Sequence, residues 1–198
     1  EEIDPMEYDS LRCALELSDA AVDVQAYACL VAIMSRGQGY HRVAEKRLYE
    51  ASLKNDFPSP IVSSAGALID SLHQIGAKKV SIICPYMKPL TQLVVDYIES
   101  EGIEVQDFMA LEIADNLEVA AQDPNAPAEL WKKLDVNGVD AIIASACVQM
   151  PSLSSIEKIE KASGLPTLSA AVATTRSILQ TLKLNPVAPG GGALLAAR

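Results

Sequence analysis

The chain has 198 residues, of which 49% are hydrophobic and only 5% aromatic, and its formal net charge is −10. This length suits one large α/β domain or two small domains that pack closely together, and the apolar fraction is that of a globular protein. The acidic balance argues against non-specific binding to nucleic acids or anionic membranes, because both require a basic surface.

No stretch reaches the ~18 consecutive apolar residues that a membrane span requires. The acidic start of the chain has no secretory signal pattern, and the cysteines are too far apart for a close-spaced metal motif. Such spacing in a chain of this size is typical of reduced intracellular thiols. We therefore expect a cytoplasmic protein. The four cysteines are Cys13, Cys29, Cys84 and Cys147.

Hydrophobic periodicity and turn residues predict alternating helices and strands almost throughout the chain. Helices are expected at residues 6–21, 40–53, 65–75, 89–100, 128–134, 152–164 and 170–184. Strands are expected at residues 22–27, 60–62, 79–84, 103–110, 139–144 and 166–168. Such alternation favours an α/β fold in which parallel sheets carry helices on both faces.

An internal repeat divides this pattern into two units. Residues 60–65 match residues 166–171, and each segment follows a Val-Asp strand that leads to a cysteine. We therefore predict two pseudo-symmetric αβα halves at residues 1–75 and 76–184, followed by a tail at 185–198. The first half begins on a helix, so we expect that an N-terminal strand is missing from it. The C-terminal segment is expected to pack back onto that half.

The two cysteines of the repeat, Cys29 and Cys147, each follow a predicted buried strand. Ligands of open α/β sheets bind beyond the carboxyl ends of the strands, so the repeat predicts both thiols in one cleft between the halves. Backbone amides at a helix start favour a thiolate, which suits a nucleophile or an acid–base pair. Free cysteines are often simply buried, and this is our interpretation of Cys13 and Cys84.

Other polar residues have less specific patterns. Tyr86 lies in a rigid proline-flanked turn after a strand, where its hydroxyl suits either a substrate carboxylate or the edge of the core. Asn116 is placed as a helix N-cap would be. His41 and His73 lie on predicted helices beside charged residues, and we expect neither to act as a base.

Four segments carry a resemblance to a known family. Residues 26–34, 64–68, 85–90 and 145–150 resemble the maleate cis-trans isomerases, and the resemblance extends over essentially the whole chain. These enzymes belong to the Asp/Glu racemase superfamily, which also includes arylmalonate decarboxylase and hydantoin racemase. The paired cysteines alone indicate only the superfamily, whereas the segments 85–90 and 145–150 favour the maleate isomerases.

The resemblance implies an Asp/Glu racemase-like fold and cofactor-independent isomerisation of maleate to fumarate through a succinyl-cysteine intermediate. It implies that Cys29 is the nucleophile and Cys147 the opposing thiol acid, in a homodimeric enzyme of nicotinate degradation. The substrate carboxylates would be held by Tyr86, Asn116 and the backbone amides of Leu30, Val31, Val148 and Gln149. Family members also begin with a strand and a loop that supplies a substrate-binding asparagine. This sequence has no counterpart of that segment, without which we expect no activity.

Three alternatives use the same cleft. The first is a two-cysteine amino-acid or hydantoin racemase or arylmalonate decarboxylase, which chiral product analysis distinguishes. The second is a non-catalytic dicarboxylate-binding protein, which predicts ligand stabilisation that survives Cys29→Ser. The third is a redox protein with a Cys29–Cys147 disulfide, which predicts reversible loss of two thiols. The loop after Cys29, with Gly37 and Gly39, is interpreted as a lid.

Overall fold

The computed structural model describes residues 3–197. The helices in this part of the chain are α1 Ile3–Ser18, α2 Leu30–Met34, α3 Tyr40–Ser52, α4 Ser64–Gln74, α5 Lys88–Ser100, α6 Asn116–Ala120, α7 Pro127–Leu130, α8 Leu153–Ser163 and α9 Ala170–Thr181. The strands are β1 Gln25–Tyr27, β2 Ile61–Ser63, β3 Lys79–Cys84, β4 Glu104–Ala110, β5 Ala141–Ser145 and β6 Thr167–Ser169. None of these helices combines the length and apolar character that crossing a bilayer requires.

The strands form two sheets, and all their pairings are parallel. The smaller sheet pairs β1 with β2, and the larger has the order β4-β3-β5-β6. The central strands β3 and β5 are apolar runs because they are buried on both faces, as parallel strands usually are. Ile82, Ile83, Ile142 and Ile143 are completely buried there. The predicted α/β class with parallel sheets is confirmed.

The internal repeat is visible in the hydrogen bonds. The Gln25 N–H donates to the Pro60 carbonyl at 2.9 Å, and the Ile142 N–H donates to the Pro166 carbonyl at 3.0 Å. Ser63 and Ser169 then cap α4 and α9 by accepting the backbone N–H three residues ahead. The repeated Pro-x-x-Ser segment therefore performs the same two tasks in each unit: its proline carbonyl pairs the start of a short strand, and its serine begins a helix.

Helix α9 packs against α4, so residues 170–181 contact residues 64–74. The link is a buried guanidinium: Arg176 donates to the Gln74 side chain at 3.1 Å and to the Leu194 carbonyl at 2.5 Å. Leu194 and Leu195 are buried as well. The part of the tail around Leu194 and Leu195 is therefore packed against the fold.

Helix α2 is the main element that periodicity missed. Its five residues were expected to belong to a loop, but four of them are buried: Leu30, Ala32, Ile33 and Met34. Only the short connection from Ser35 to Gly39 separates α2 from α3. The structure therefore restricts any lid to that connection.

Helices α3 and α5 share a buried polar contact between His41 and Tyr97. The Tyr97 hydroxyl accepts the His41 backbone N–H at 3.1 Å, and its oxygen lies 2.5 Å from the His41 Nδ1. Burial lowers the pKa of His41 and raises the pKa of Tyr97 to about 12. We infer that the imidazole is neutral, with the tyrosine hydroxyl donating to Nδ1.

We expect the fold to lose stability as the pH falls below the ordinary histidine pKa of about 6.5. The His41 pKa is lower in the folded chain, so the unfolded chain takes up the proton first and the free energy of unfolding falls. Urea denaturation at pH 7.5 and pH 5.5 measures this loss. His41→Gln should reduce the difference between the two pH values, while the same change at exposed His73 should leave it as in the wild type. Equal pH dependence in both variants would contradict the prediction.

Candidate active site

Three candidate site residues occupy the same position in sequence relative to the strand that precedes them. Cys29, Tyr86 and Cys147 each come two residues after the end of a strand, namely β1, β3 and β5. Carboxyl ends of parallel strands are where α/β folds bind their ligands. The electrostatic influence of Cys147 reaches both Cys29 and Tyr86, so the structure brings the three side chains together.

Cys29 is partly exposed and is the N-cap residue of α2, with extended backbone angles of −108° and 90°. Burial raises the pKa of its thiol, the nearby Cys147 raises it further, and the backbone amide of Ala32 partly offsets the rise. The backbone amides that follow the cysteine were expected to favour the thiolate. They do so through Ala32, but burial outweighs them.

Cys147 is buried, with 7% of its surface exposed. Its turn is fixed by Ser145, whose hydroxyl donates to the Cys147 carbonyl at 2.9 Å and accepts the Cys147 N–H at 3.3 Å. No motif in the sequence marked Ser145 by itself as a functional residue. A serine two residues before a cysteine, at the end of a buried strand, is the signal that was available for it.

Tyr86 lies beside this turn and is half-buried. Its hydroxyl donates to the Ala146 carbonyl at 3.1 Å, and its own carbonyl accepts the Thr91 hydroxyl at 3.2 Å. Burial raises the pKa of Tyr86, and Cys147 raises it further. The hydroxyl is therefore a neutral donor at physiological pH. Tyr86 was expected either to bind a substrate carboxylate or to pack at the edge of the core. Its position beside Cys147 supports the first role and is compatible with the second.

Asn116 and Gln149 are linked by a hydrogen bond next to the turn that contains Cys147. The Gln149 side-chain amide donates to the Asn116 carbonyl at 2.8 Å. Asn116 is exposed as the first residue of α6, and the N-cap of that helix is Asp115, which accepts two backbone amides. Capping is thus carried out by the residue before Asn116, so the N-cap interpretation of Asn116 is wrong.

The remaining predicted binding groups are backbone amides next to the two cysteines. Leu30 and Val31 form the first turn of α2, where amides have no partner within the helix. Val148 and Gln149 follow Cys147 in its turn, the first half-buried and the second exposed. The structure thus places all four beside a thiol.

The other two cysteines differ in position. Cys13 is exposed on α1, and Cys84 is fully buried at the end of β3. Burial raises the pKa of Cys84, with a further contribution from Cys147. Cys84 thus lies close to the site but has the buried character that sequence analysis assigned to it. Within residues 3–197, no group of three or more His, Cys, Asp or Glu side chains is arranged to hold a metal ion.

We expect Cys29 to alkylate slowly at neutral pH, with a midpoint above the value of about 8.5 for a free cysteine thiol. The reason is that burial raises its pKa, so the reactive thiolate is a minor species until the pH becomes alkaline. Iodoacetamide rates measured from pH 6 to 10 by peptide mass, in a Cys13→Ser background, report this midpoint. A blocked cysteine, N-acetylcysteine amide, is the reference thiol, and a Cys29 midpoint below it would contradict the prediction.

Comparison with known proteins agrees with this geometry. An arylmalonate decarboxylase family model matches residues 1–195. A maleate isomerase of Pseudomonas putida KT2440 is 54% identical over 196 residues, which make up 99% of this chain and 78% of that protein.

Two solved structures extend the comparison. One is a cysteine-to-alanine variant of the maleate isomerase Iso from Pseudomonas putida S16 with maleate. It has a TM-score of 0.96 and 57% identity, over 99% of this chain and 78% of that one. The other is a cysteine-to-serine variant of the Nocardia farcinica maleate cis-trans isomerase with a covalently bound succinylcysteine intermediate. It has a TM-score of 0.94 and 42% identity, over 98% of this chain and 79% of that one. The chain therefore belongs to the arylmalonate decarboxylase family and, within it, to the maleate isomerases.

Proposed function

We propose that this protein isomerises maleate to fumarate, with Cys29 as the nucleophile and Cys147 as the acid. The observation that carries the proposal is the meeting of these two thiols in one site of a chain that is 54% identical to a maleate isomerase. The succinylcysteine intermediate of the Nocardia farcinica relative supports a covalent route.

In the first step, the Cys29 thiolate adds to one alkene carbon and forms a carbon–sulfur bond. The electron pair of the double bond moves to the adjacent carbon, where the neighbouring carboxylate delocalises it. Cys147 then donates a proton to that carbon, which yields a succinyl group on Cys29. Covalent addition replaces the high barrier to rotation about a double bond with two lower barriers.

In the second step, the succinyl group rotates about the new single bond. Cys147, now a thiolate, removes the proton again, and the electron pair reforms the double bond as the carbon–sulfur bond breaks. The trans alkene leaves, and both cysteines return to their starting states. The active form of Cys29 is the thiolate. Because burial raises the pKa of this thiol, the thiolate becomes abundant only at alkaline pH.

The substrate carboxylates are assigned to hydrogen-bond donors around the two thiols. Tyr86 supports this assignment because its hydroxyl is neutral and lies against the Ala146 carbonyl next to Cys147. Asn116 is brought to the same turn by its hydrogen bond with Gln149. The amides of Leu30, Val31, Val148 and Gln149 are assigned to the same carboxylates and to the developing enolate charge.

We infer further that the enzyme needs no cofactor, acts as a cytoplasmic homodimer and serves nicotinate degradation, as its family resemblance implies. We also infer a division into halves at residues 1–75 and 76–184, with 185–198 as the tail. The two sheets and the repeated capping serines support this division. The packing of α9 on α4 supports return of the C-terminal segment to the first half.

The test is to incubate the reduced full-length protein with maleate and to follow fumarate by proton NMR. Fumarate is expected to accumulate, and rapid acid quenching should show a transient adduct with the mass of one maleic acid on the peptide that contains Cys29. Stabilisation by maleate without fumarate would favour a binding protein, and racemised aspartate, glutamate or hydantoins would favour a racemase. Either result would overturn the proposal.

A further inference from the structure

We propose that Glu7 and Arg36 are positioning residues for Cys29, because their ion pair anchors the far end of the helix that Cys29 caps. The inference rests on the proposed role of Cys29 as nucleophile. It assigns a function to a polar cluster that touches neither thiol. The cluster consists of Glu7, Arg36, Tyr40 and Arg47.

Helix α2 has only five residues, too few for a helix to be stable without tertiary support. Its N-terminal end is Cys29. At its other end, the Arg36 N–H donates to the Ile33 carbonyl at 3.1 Å, so the turn that contains Arg36 is tied directly to the last residues of α2. Interactions that fix the Arg36 side chain therefore also restrict movement of α2.

That side chain is held from two directions. The Glu7 carboxylate on α1 accepts hydrogen bonds from the Arg36 guanidinium, the Tyr40 hydroxyl and the Arg47 guanidinium. The Arg36 guanidinium also lies 5.9 Å from the centre of the Tyr40 ring, at the start of α3. Because the Glu7 and Arg36 side chains are only 23% and 26% exposed, solvent screens this pair less than a surface pair.

The cluster shares a cavity with residues that precede and follow the thiol in sequence. A cavity of about 10 Å³, roughly the space of one water molecule, is lined by Glu7 and Arg36 and also by Tyr27 and Ala32. Tyr27 comes two residues before Cys29, and Ala32 carries the amide that faces the Cys29 thiol. Movement of the last turn of α2 would therefore carry that amide away from the sulfur.

The variant Glu7→Gln removes the charge of the carboxylate at nearly constant shape. We expect the alkylation midpoint of Cys29 to rise by about one pH unit, which makes alkylation at pH 7 about tenfold slower. We also expect kcat for maleate to fall about tenfold with little change in KM, since the substrate contacts are not altered. Arg36→Lys keeps the charge without the planar fork and should give an intermediate shift.

The matched control is Glu16→Gln. Glu16 lies on the same helix and pairs with Arg12 at 2.8 Å, but this pair is exposed and does not belong to the Glu7 cluster. The control should leave the midpoint and kcat unchanged. All variants carry Cys13→Ser, which removes the exposed thiol, and peptide mass separates alkylation of Cys29 from that of the buried Cys84 and Cys147.

If Glu7→Gln lowers only the melting temperature and leaves the Cys29 midpoint unchanged, Glu7 has a purely structural role and the proposal is overturned. The same holds if Glu16→Gln shifts the midpoint equally. Alkylation needs no maleate, so a shifted midpoint supports the positioning role even in a protein that makes no fumarate. Failure of the proposed function is thus distinguishable from failure of this inference.

Discussion

Cys29→Ala is expected to reduce maleate turnover by at least about 10⁴-fold, the scale of loss when a covalent nucleophile is removed. Alanine cannot form the carbon–sulfur bond, so the barrier to rotation about the double bond returns in full. Cys29 is partly exposed at the start of α2, and replacing its sulfur should leave the fold intact. Proton NMR of fumarate measures the loss.

The control for this prediction is Cys13→Ala. Cys13 is exposed on α1 and belongs to no part of the proposed site, so this variant should turn over maleate at the wild-type rate. Cys29→Ala should still be stabilised against heat by maleate, because the proposed carboxylate donors are unchanged. Fumarate formation by Cys29→Ala at a rate near that of Cys13→Ala would contradict the assignment of the nucleophile.

Cys147→Ser should lower kcat by about 10² to 10⁴-fold, the usual range for loss of a general acid or base. In this variant Cys29 is still able to attack and the intermediate gains its proton slowly, but a neutral serine hydroxyl is too weak a base to remove that proton again. A covalent succinyl group should therefore accumulate on Cys29. The cysteine-to-serine variant of the Nocardia farcinica relative, with its succinylcysteine, is consistent with this expectation.

Intact-mass analysis after incubation with maleate detects the adduct. The double variant Cys29→Ala/Cys147→Ser should carry none, which shows that the adduct is on Cys29 and not on another thiol. Turnover by Cys147→Ser at the wild-type rate would remove Cys147 from the mechanism. An adduct that persists in the double variant would instead place the nucleophile elsewhere.

Much of the fold was predictable because it depends on local pattern. Residues 79–84 and 141–144 are apolar runs of the kind that parallel strands require when both faces are buried. The repeated Pro-x-x-Ser segments located two helix starts, since a capping serine acts on its immediate neighbours. The positions of Cys29 and Cys147 follow from the strands that precede them.

The parts that could not be predicted depend on distant contacts. Helix α2 was missed because its five residues are too few to show a helical period. The raised pKa of Cys29 comes mainly from burial by elements elsewhere in the chain. The partners of Glu7 stand 29, 33 and 40 residues away, so no local motif marks that cluster.

The contact between α4 and α9 has a consequence for synthesis of the protein. Gln74 and its partner Arg176 are 102 residues apart, and ribosomes add about 5–20 residues per second. The face of α4 that α9 covers therefore emerges several seconds before α9 does. During that interval the nascent chain exposes apolar surface that is buried only after α9 has been synthesised. Assembly of the early strands is thus coupled to synthesis of α9, and ribosome stalling before α9 would leave an aggregation-prone fragment.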